Sequence, residues 1–237
     1  MDVKVLEIAE WVTPATCYHI NQVGDYRLGK HTYQRGYYSY HGMDGFTFFR
    51  ARHPLEATTL LQQRPGRVSW REWMVDSPTD YRAMQIYAQA ARGKVLTTGL
   101  GLGLVTQELC KNPNVTSITV IEISPNVIEL IKGYLPQDSR IQLICQDFWD
   151  FIERDASCWD TIIVDIWVFW GCDQQVKIYK EEIVPENKKL KAKYPGTQIF
   201  FHGFAGMPTL EQIDQALAQG DDVDPMIYGL GKNGTGG

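Results

Sequence analysis

Two hydrophobic rhythms divide the chain. From Lys94 onward, short apolar runs alternate with segments whose apolar residues recur at helical spacing. Before residue 75, aromatic and apolar positions alternate with polar ones, as in half-buried strands. The apolar runs 94–98, 117–122, 141–145 and 160–165 predict strands, and the stretches 103–112, 125–134 and 148–154 predict helices between them. Tyr81, Met84, Ile86, Tyr87 and Ala90 predict a further helix over 79–91. Ser77 caps it, Pro78 enters its first turn and Arg92-Gly93 ends it. Such strict alternation demands right-handed crossovers and a parallel sheet. The expected fold class is therefore α/β, a Rossmann-like, doubly wound, mostly parallel sheet (1–75 forming a small N-terminal β-rich appendage, 76–220 the sheet domain).

At the two ends the pattern is less regular. Tyr33–Tyr40 and Phe46–Arg52 read as aromatic strands joined by a turn at Met43-Asp44-Gly45, and Val68–Met74 reads as another strand. Pro14, Pro54 and Pro65 exclude a long helix there. Towards the other end, 174–194 predict a charged helix or helix pair broken near Pro185, 197–202 a fifth strand, and 209–218 a helix. After Ala218 at most one short strand fits, at Met226-Ile227-Tyr228, so the sheet is expected to be truncated at its C-terminal strands. The Gly-rich end, 221–237, is expected to be flexible.

The tips of the predicted strands carry the chemistry. Strand 94–98 runs into Gly99, Gly101 and Gly103, where backbone N–H groups can approach a ligand with no side chain in the way. Glu122 closes the next strand, where an acid can accept both hydroxyls of a ribose. Asp147 follows the third, where an acid can accept from an adenine amine. Alone, Glu122 reads as a solvated strand end and Asp147 as a helix cap. Together, in this order and spacing, the three features argue for an adenosine-containing ligand. The dinucleotide fingerprint wants a small residue where this chain has Leu104, so a nicotinamide dinucleotide fits poorly.

The runs Val95–Gly103, Val120–Ile128 and Asp160–Asp165 resemble the class I S-adenosylmethionine-dependent methyltransferases, in their spermidine-synthase-like branch. The resemblance covers residues 75 to 205, about half the chain. It implies S-adenosyl-L-methionine as cofactor, held by Gly99, Leu100, Gly101 and Gly103 in the first turn. Glu122 and Ile123 at the second strand, Asp147 and Phe148 after the third, and Asp165 after the fourth would complete that set. It implies Asp165 as the catalytic group, beside the reacting amine, and Asp80, Tyr81 and Trp167 on the substrate side. Polyamine synthases carry an aspartate in the glycine loop where this chain has Leu102. The expected enzyme is therefore a methyltransferase acting on a small-molecule nucleophile, an amine, ahead of an aminopropyltransferase or a non-catalytic cofactor-binding module. Asp165-Ile166-Trp167-Val168 lacks the prolines of DNA amino-methyltransferases, so nucleic acid is not an expected partner.

Composition changes this picture little. The net charge of −5 is unevenly placed, because Arg27, Lys30, Arg35, Arg50, Arg52, Arg64, Arg67 and Arg71 outweigh Asp25, Asp44 and Glu56 within 24–71. That stretch reads as a solvated β-surface, with a surface for an anionic partner or for a second subunit, a homodimer through the N-terminal β-rich region, as the sharper alternative. The cysteines Cys17, Cys110, Cys145, Cys158 and Cys172 form no C-x-x-C pair, so neither zinc nor a disulfide framework is expected, and Cys110 and Cys145 read as small core residues. The five histidines are scattered; His202, at the end of the fifth strand, could approach the site but reads rather as a satisfied loop residue. With no apolar run of about 18 residues and no secretory pattern, the expected location is cytoplasmic.

Overall fold

A computed structural model of the chain describes residues 4–42, 45–64, 66–167 and 177–203. Outside them lie Met43 and Asp44 of the predicted turn, Cys172, the helix expected over 209–218, the strand at 226–228 and the Gly-rich end.

The second half is built on a five-stranded parallel sheet. Its strands are β8 (Gly93–Thr98), β9 (Val115–Glu122), β10 (Ile141–Cys145), β11 (Thr161–Val164) and β12 (Gln198–Phe201), in the order β10-β9-β8-β11-β12. Successive side chains in a strand point to opposite faces, and both faces here are apolar. Val95, Ile118, Val120, Ile163 and Phe200 pack against α1 (Pro78–Ala90), α2 (Leu104–Lys111) and α3 (Pro125–Ile131). Leu96, Ile121, Ile162, Val164 and Phe201 face α4 (Phe148–Arg154) and a helix at Val184–Lys193. The sheet is thus doubly wound and Rossmann-like, as the alternation predicts. Its order reverses between β8 and β11, which makes their carboxyl ends the place for a ligand.

Pro185 does not break its helix. A π turn over Tyr179–Ile183 leads directly into Val184–Lys193, and Val184 N–H bonds to Tyr179 O. The wider turn accommodates a residue that has no N–H and would crowd the carbonyl one turn back.

The first half forms two small sheets. One is antiparallel, from β2 (Gln22–Val23), β3 (Tyr26–Tyr33), β6 (Leu55–Gln63) and β7 (Trp70–Val75), in the order β2-β3-β6-β7. The other orders β1 (Lys4–Ile8), β5 (Gly45–Ala51) and β4 (Gly36–Gly42) as β1-β5-β4, with β1 parallel to β5. The strand expected over 33–40 is therefore two strands, divided at Gln34-Arg35, because Tyr33 closes β3 and Gly36 opens β4. Leu28, Leu60, Ile8 and Phe49 join the same core cluster as α1 and α2, so the small sheets are packed onto the large one.

Four arginines of this half have internal partners. Arg27 lies over the Trp70 ring at 4.5 Å, Arg71 over Trp73 at 4.8 Å, and both Arg50 and Arg52 bond to Glu7. Cys145 corrects its expected place: it is exposed, since it ends the edge strand β10 and its thiol reaches only to Ile123 O. Cys110 is half-buried, and burial pushes its thiol up to about 11. No helix among the described residues is long and apolar enough to cross a membrane.

Candidate functional site

Ladder hydrogen bonds run past the strand ends and bring the tips into register. Gly99 N–H donates to Ile121 O at 2.9 Å, Gln146 N–H to Glu122 O at 3.1 Å and His202 N–H to Val164 O at 2.8 Å. One sheet edge therefore carries the glycine loop, Glu122, Asp147, Asp165 and His202. Across from it stand β7 and the start of α1, and between them lies a cavity of about 530 Å³.

The glycine loop folds tightly for a reason visible at each position. Gly99 has φ +77°, and a Cβ there would sit 2.2 Å from Asp165 O. Gly101 has φ +50°, and its Cβ would sit 2.5 Å from Met74 Sδ. Both line the cavity. Gly103 does not. Its added Cβ would meet Leu135 and Ile131, so its smallness serves packing against α3 and the start of α2. Leu100 also departs from the ligand-binding set: its side chain is buried in the core and only its backbone serves the site. Leu102 is likewise fully buried, with its carbonyl accepting from Tyr18 Oη at 2.9 Å and its N–H directed to Met74 Sδ at 3.4 Å.

Glu122 fastens this loop. Its Oε2 accepts from Leu100 N–H at 2.7 Å and its Oε1 from Ser124 N–H at 2.8 Å. A carboxylate has about four lone-pair sites, and the N–H groups of Gly101 and Ile123 also approach this one. Burial raises its pKa, opposed by the backbone donors. Asp147 Oδ1 caps α4 by accepting from Trp149 and Asp150 N–H at 2.8 and 3.1 Å, while the residue also lines the cavity. Capping and ligand binding are thus compatible here, since the second oxygen takes no part in the cap. Ile123 and Phe148 flank these acids on the cavity wall, the first exposed and the second buried.

On the opposite wall, Asp80 is held at the start of α1 by Ser77, whose hydroxyl donates to Oδ2 at 2.6 Å and accepts from Asp80 N–H at 3.0 Å. Tyr81 is not in the cavity. It follows Asp80 by about 100° around the helix and points to α2, where its hydroxyl donates to Glu108 Oε1 at 2.6 Å. Burial, with the Glu108 carboxylate beside it, holds that phenol above its ordinary pKa. Trp167 does line the cavity, with Nε1 donating to Glu182 at 2.6 Å; Phe169 and Trp170 lie outside the described residues. Asp165 lines it from the end of β11, its pKa raised by burial and pulled down by the nearby His202.

Sequence reasoning missed the contribution of β7. Glu72, Trp73, Met74 and Val75 all line the cavity, and Glu72 is steadied by His31 Nδ1 at 3.0 Å. The acid lying five residues before the Ser77-Pro78 cap was the available signal. The lining thus combines Glu72, Asp80, Glu122, Asp147 and Asp165 with the single imidazole of His202, and contains no Lys or Arg among the described residues. Such a wall favours cations and repels a pyrophosphate.

These features define a Rossmann-like domain with an acidic cavity at its switch point. Residues 83–191 match the family model described as the spermine/spermidine synthase domain. A polyamine aminopropyltransferase of Buchnera aphidicola subsp. Acyrthosiphon pisum is 36% identical over 98 residues, covering 38% of this chain and 34% of that protein. Its namesake in Korarchaeum cryptofilum is 32% identical over 104 residues, 41% of this chain and 32% of that protein. The chain spans about a third of the length of the curated relatives it matches. Among solved structures, spermidine synthase from Thermotoga maritima aligns over 57% of this chain and 55% of its own, at 16% identity and a TM-score of 0.35. The methyltransferase expectation is corrected by these matches, since the family model is described as spermine/spermidine synthase and the curated relatives are named for aminopropyl rather than methyl transfer.

Proposed function

We propose that the cavity takes an adenosyl sulfonium, decarboxylated S-adenosylmethionine, and transfers its aminopropyl group to a small aliphatic amine. The observation that carries this reading is the lining itself, five carboxylates and no lysine or arginine among the described residues. Donor and acceptor are both cations, and in a partly water-excluded cleft such a lining attracts and holds them. Glu122 takes the ribose hydroxyls, Asp147 Oδ2 the adenine amine, and Ile123 and Phe148 the adenine faces. Asp165, Glu72 and Asp80 hold the ammonium groups. The family match over 83–191 supports the same reading.

Leu102 favours one second reading, a binding module without turnover. The acid that polyamine synthases place there is replaced by a leucine that faces the core, so the donor's ammonium depends on carboxylates contributed by other elements. The test supplies decarboxylated S-adenosylmethionine and 1,4-diaminobutane to the full chain and follows methylthioadenosine and triamine formation. Product formation is expected. Methylthioadenosine binding without product would establish the module instead, and neither binding nor product would overturn both.

A further inference from the structure

His202 is not the satisfied loop residue that its sequence context suggests. Its backbone N–H is tied to Val164 O, which fixes the residue next to Asp165 at the cavity edge. Its Nδ1 is buried and has no partner among the described residues, a condition that in native proteins calls for an explanation. Its Nε2 stands 3.9 Å from Asp80 Oδ1. That is too long for a hydrogen bond between them, yet a donor nitrogen about 2.9 Å from each closes a reasonable triangle. The Tyr87 ring packs edge-on against the imidazole, with centroids 5.9 Å apart, and limits its swing.

Among the described residues, the titratable groups around this imidazole are Asp80 and Tyr87 from α1 and Asp165 from the end of β11. Glu72 from β7, Glu122 from β9 and Asp147 beyond β10 line the same cavity. All are acids. An aliphatic ammonium, with a pKa of about 10, must lose a proton before it can attack carbon. Among the described lining residues, only the imidazole belongs to the side-chain class that exchanges protons near neutral pH.

The geometry points to His202 as a catalytic residue, with the acceptor's ammonium seated between His202 Nε2 and Asp80 Oδ1 and passing its proton to Nε2. This rests on the aminopropyl-transfer reading above. The freed amine's lone pair forms the new N–C bond at the sulfonium's aminopropyl carbon. The C–S bond breaks with its electron pair going to sulfur, a neutral thioether leaves, and the positive charge passes to the product nitrogen. The imidazolium then releases its proton to solvent. Asp80 positions the ammonium, and Asp165 lies beside it as a second anionic contact.

The test compares wild type, His202→Gln and Asp80→Asn in the full chain. With decarboxylated S-adenosylmethionine and 1,4-diaminobutane, His202→Gln is expected to lower kcat by about 10²-fold or more. It should also change the shape of the pH–rate profile and keep its affinity for methylthioadenosine within a factor of about three. Added imidazole should restore part of the activity to His202→Ala. Wild-type kcat and an unchanged pH profile in His202→Gln would overturn the assignment. A wild type that transfers nothing would count against the functional reading, and the seat is then judged by binding alone. In that case 1,4-diaminobutane should shift the imidazole NMR signal that is absent from His202→Gln, and Asp80→Asn should weaken diamine binding about tenfold. A diamine that leaves that signal unmoved overturns the proposal whatever the turnover.

Discussion

The floor of the cavity and its roof present the same type of side chain by different means. On the floor, Glu122, Asp147 and Asp165 stand at the carboxyl ends of β9, β10 and β11 in one parallel sheet, where register aligns them, and Glu122 and Asp147 are braced by backbone N–H groups at 2.7–3.1 Å. On the roof, Glu72 and Asp80 come from a strand edge and a helix start, and side chains hold them: His31 for Glu72, Ser77 for Asp80. Floor geometry is thus inherited from the sheet, whereas roof geometry depends on how the small sheets dock. The two meet at the seam where Met74 rests on Gly101, and Asp76, one residue past β7, ties the roof to the N-terminal segment through Thr13 and to β6 through Thr58 N–H.

Changes to the floor should have the largest effects. Gly99→Ala places a Cβ against the Asp165 carbonyl at a left-handed backbone, a contact with no flexible side chain to yield. We expect a loss of about 3 kcal/mol or more by urea unfolding. A loss under about 1 kcal/mol would show that the loop and the end of β11 move apart freely. Glu122→Ala should follow, weakening methylthioadenosine by about 2–3 kcal/mol in calorimetry, the range for bonds to a charged group. Unchanged affinity in a folded variant would remove the floor's ribose contact.

The seam should show itself through pH. Burial pushes the Asp76 carboxyl up to about 6, although Thr13 and Thr58 donate to it. In the unfolded chain an aspartate ionises near 3.9. Between about pH 4 and 6 the unfolded chain has therefore released a proton that the folded chain keeps, and stability falls as pH rises through that window. The drop is on the order of 2–3 kcal/mol, and above it this group adds no further slope. Asp76→Asn should flatten that part of the profile in urea titrations from pH 4 to 7. A slope that survives the substitution would assign it to other groups.

The smallest effect tests the contact between floor and roof. Gly101→Ala meets Met74 Sδ, the end of a flexible side chain, so the roof can yield. Combining it with Met74→Ala should recover about 1 kcal/mol relative to the sum of the single changes. Strict additivity would mean that the two do not touch in solution.

What the sequence determined by itself lies in the second half. The apolar runs bounded the five parallel strands to within a residue or two, and Gly99, Gly101, Glu122, Asp147 and Asp165 fell on one edge because parallel strands in register end together. Local patterns also made Ser77 a cap and Asp80 a first-turn acid. Only the tertiary structure decided the rest. Leu100 and Leu102 neighbour the cavity-lining Gly99 and Gly101 in sequence, yet loop folding turns both into the core. Tyr81 adjoins Asp80, yet helical geometry turns it to Glu108. Glu72 and Met74 reach the cavity through docking of the small sheets onto the large one, and the same docking sets Asp80 against His202, far from it in sequence. Periodicity records which face a residue takes within its own element; which element that face meets is settled only by packing the whole chain.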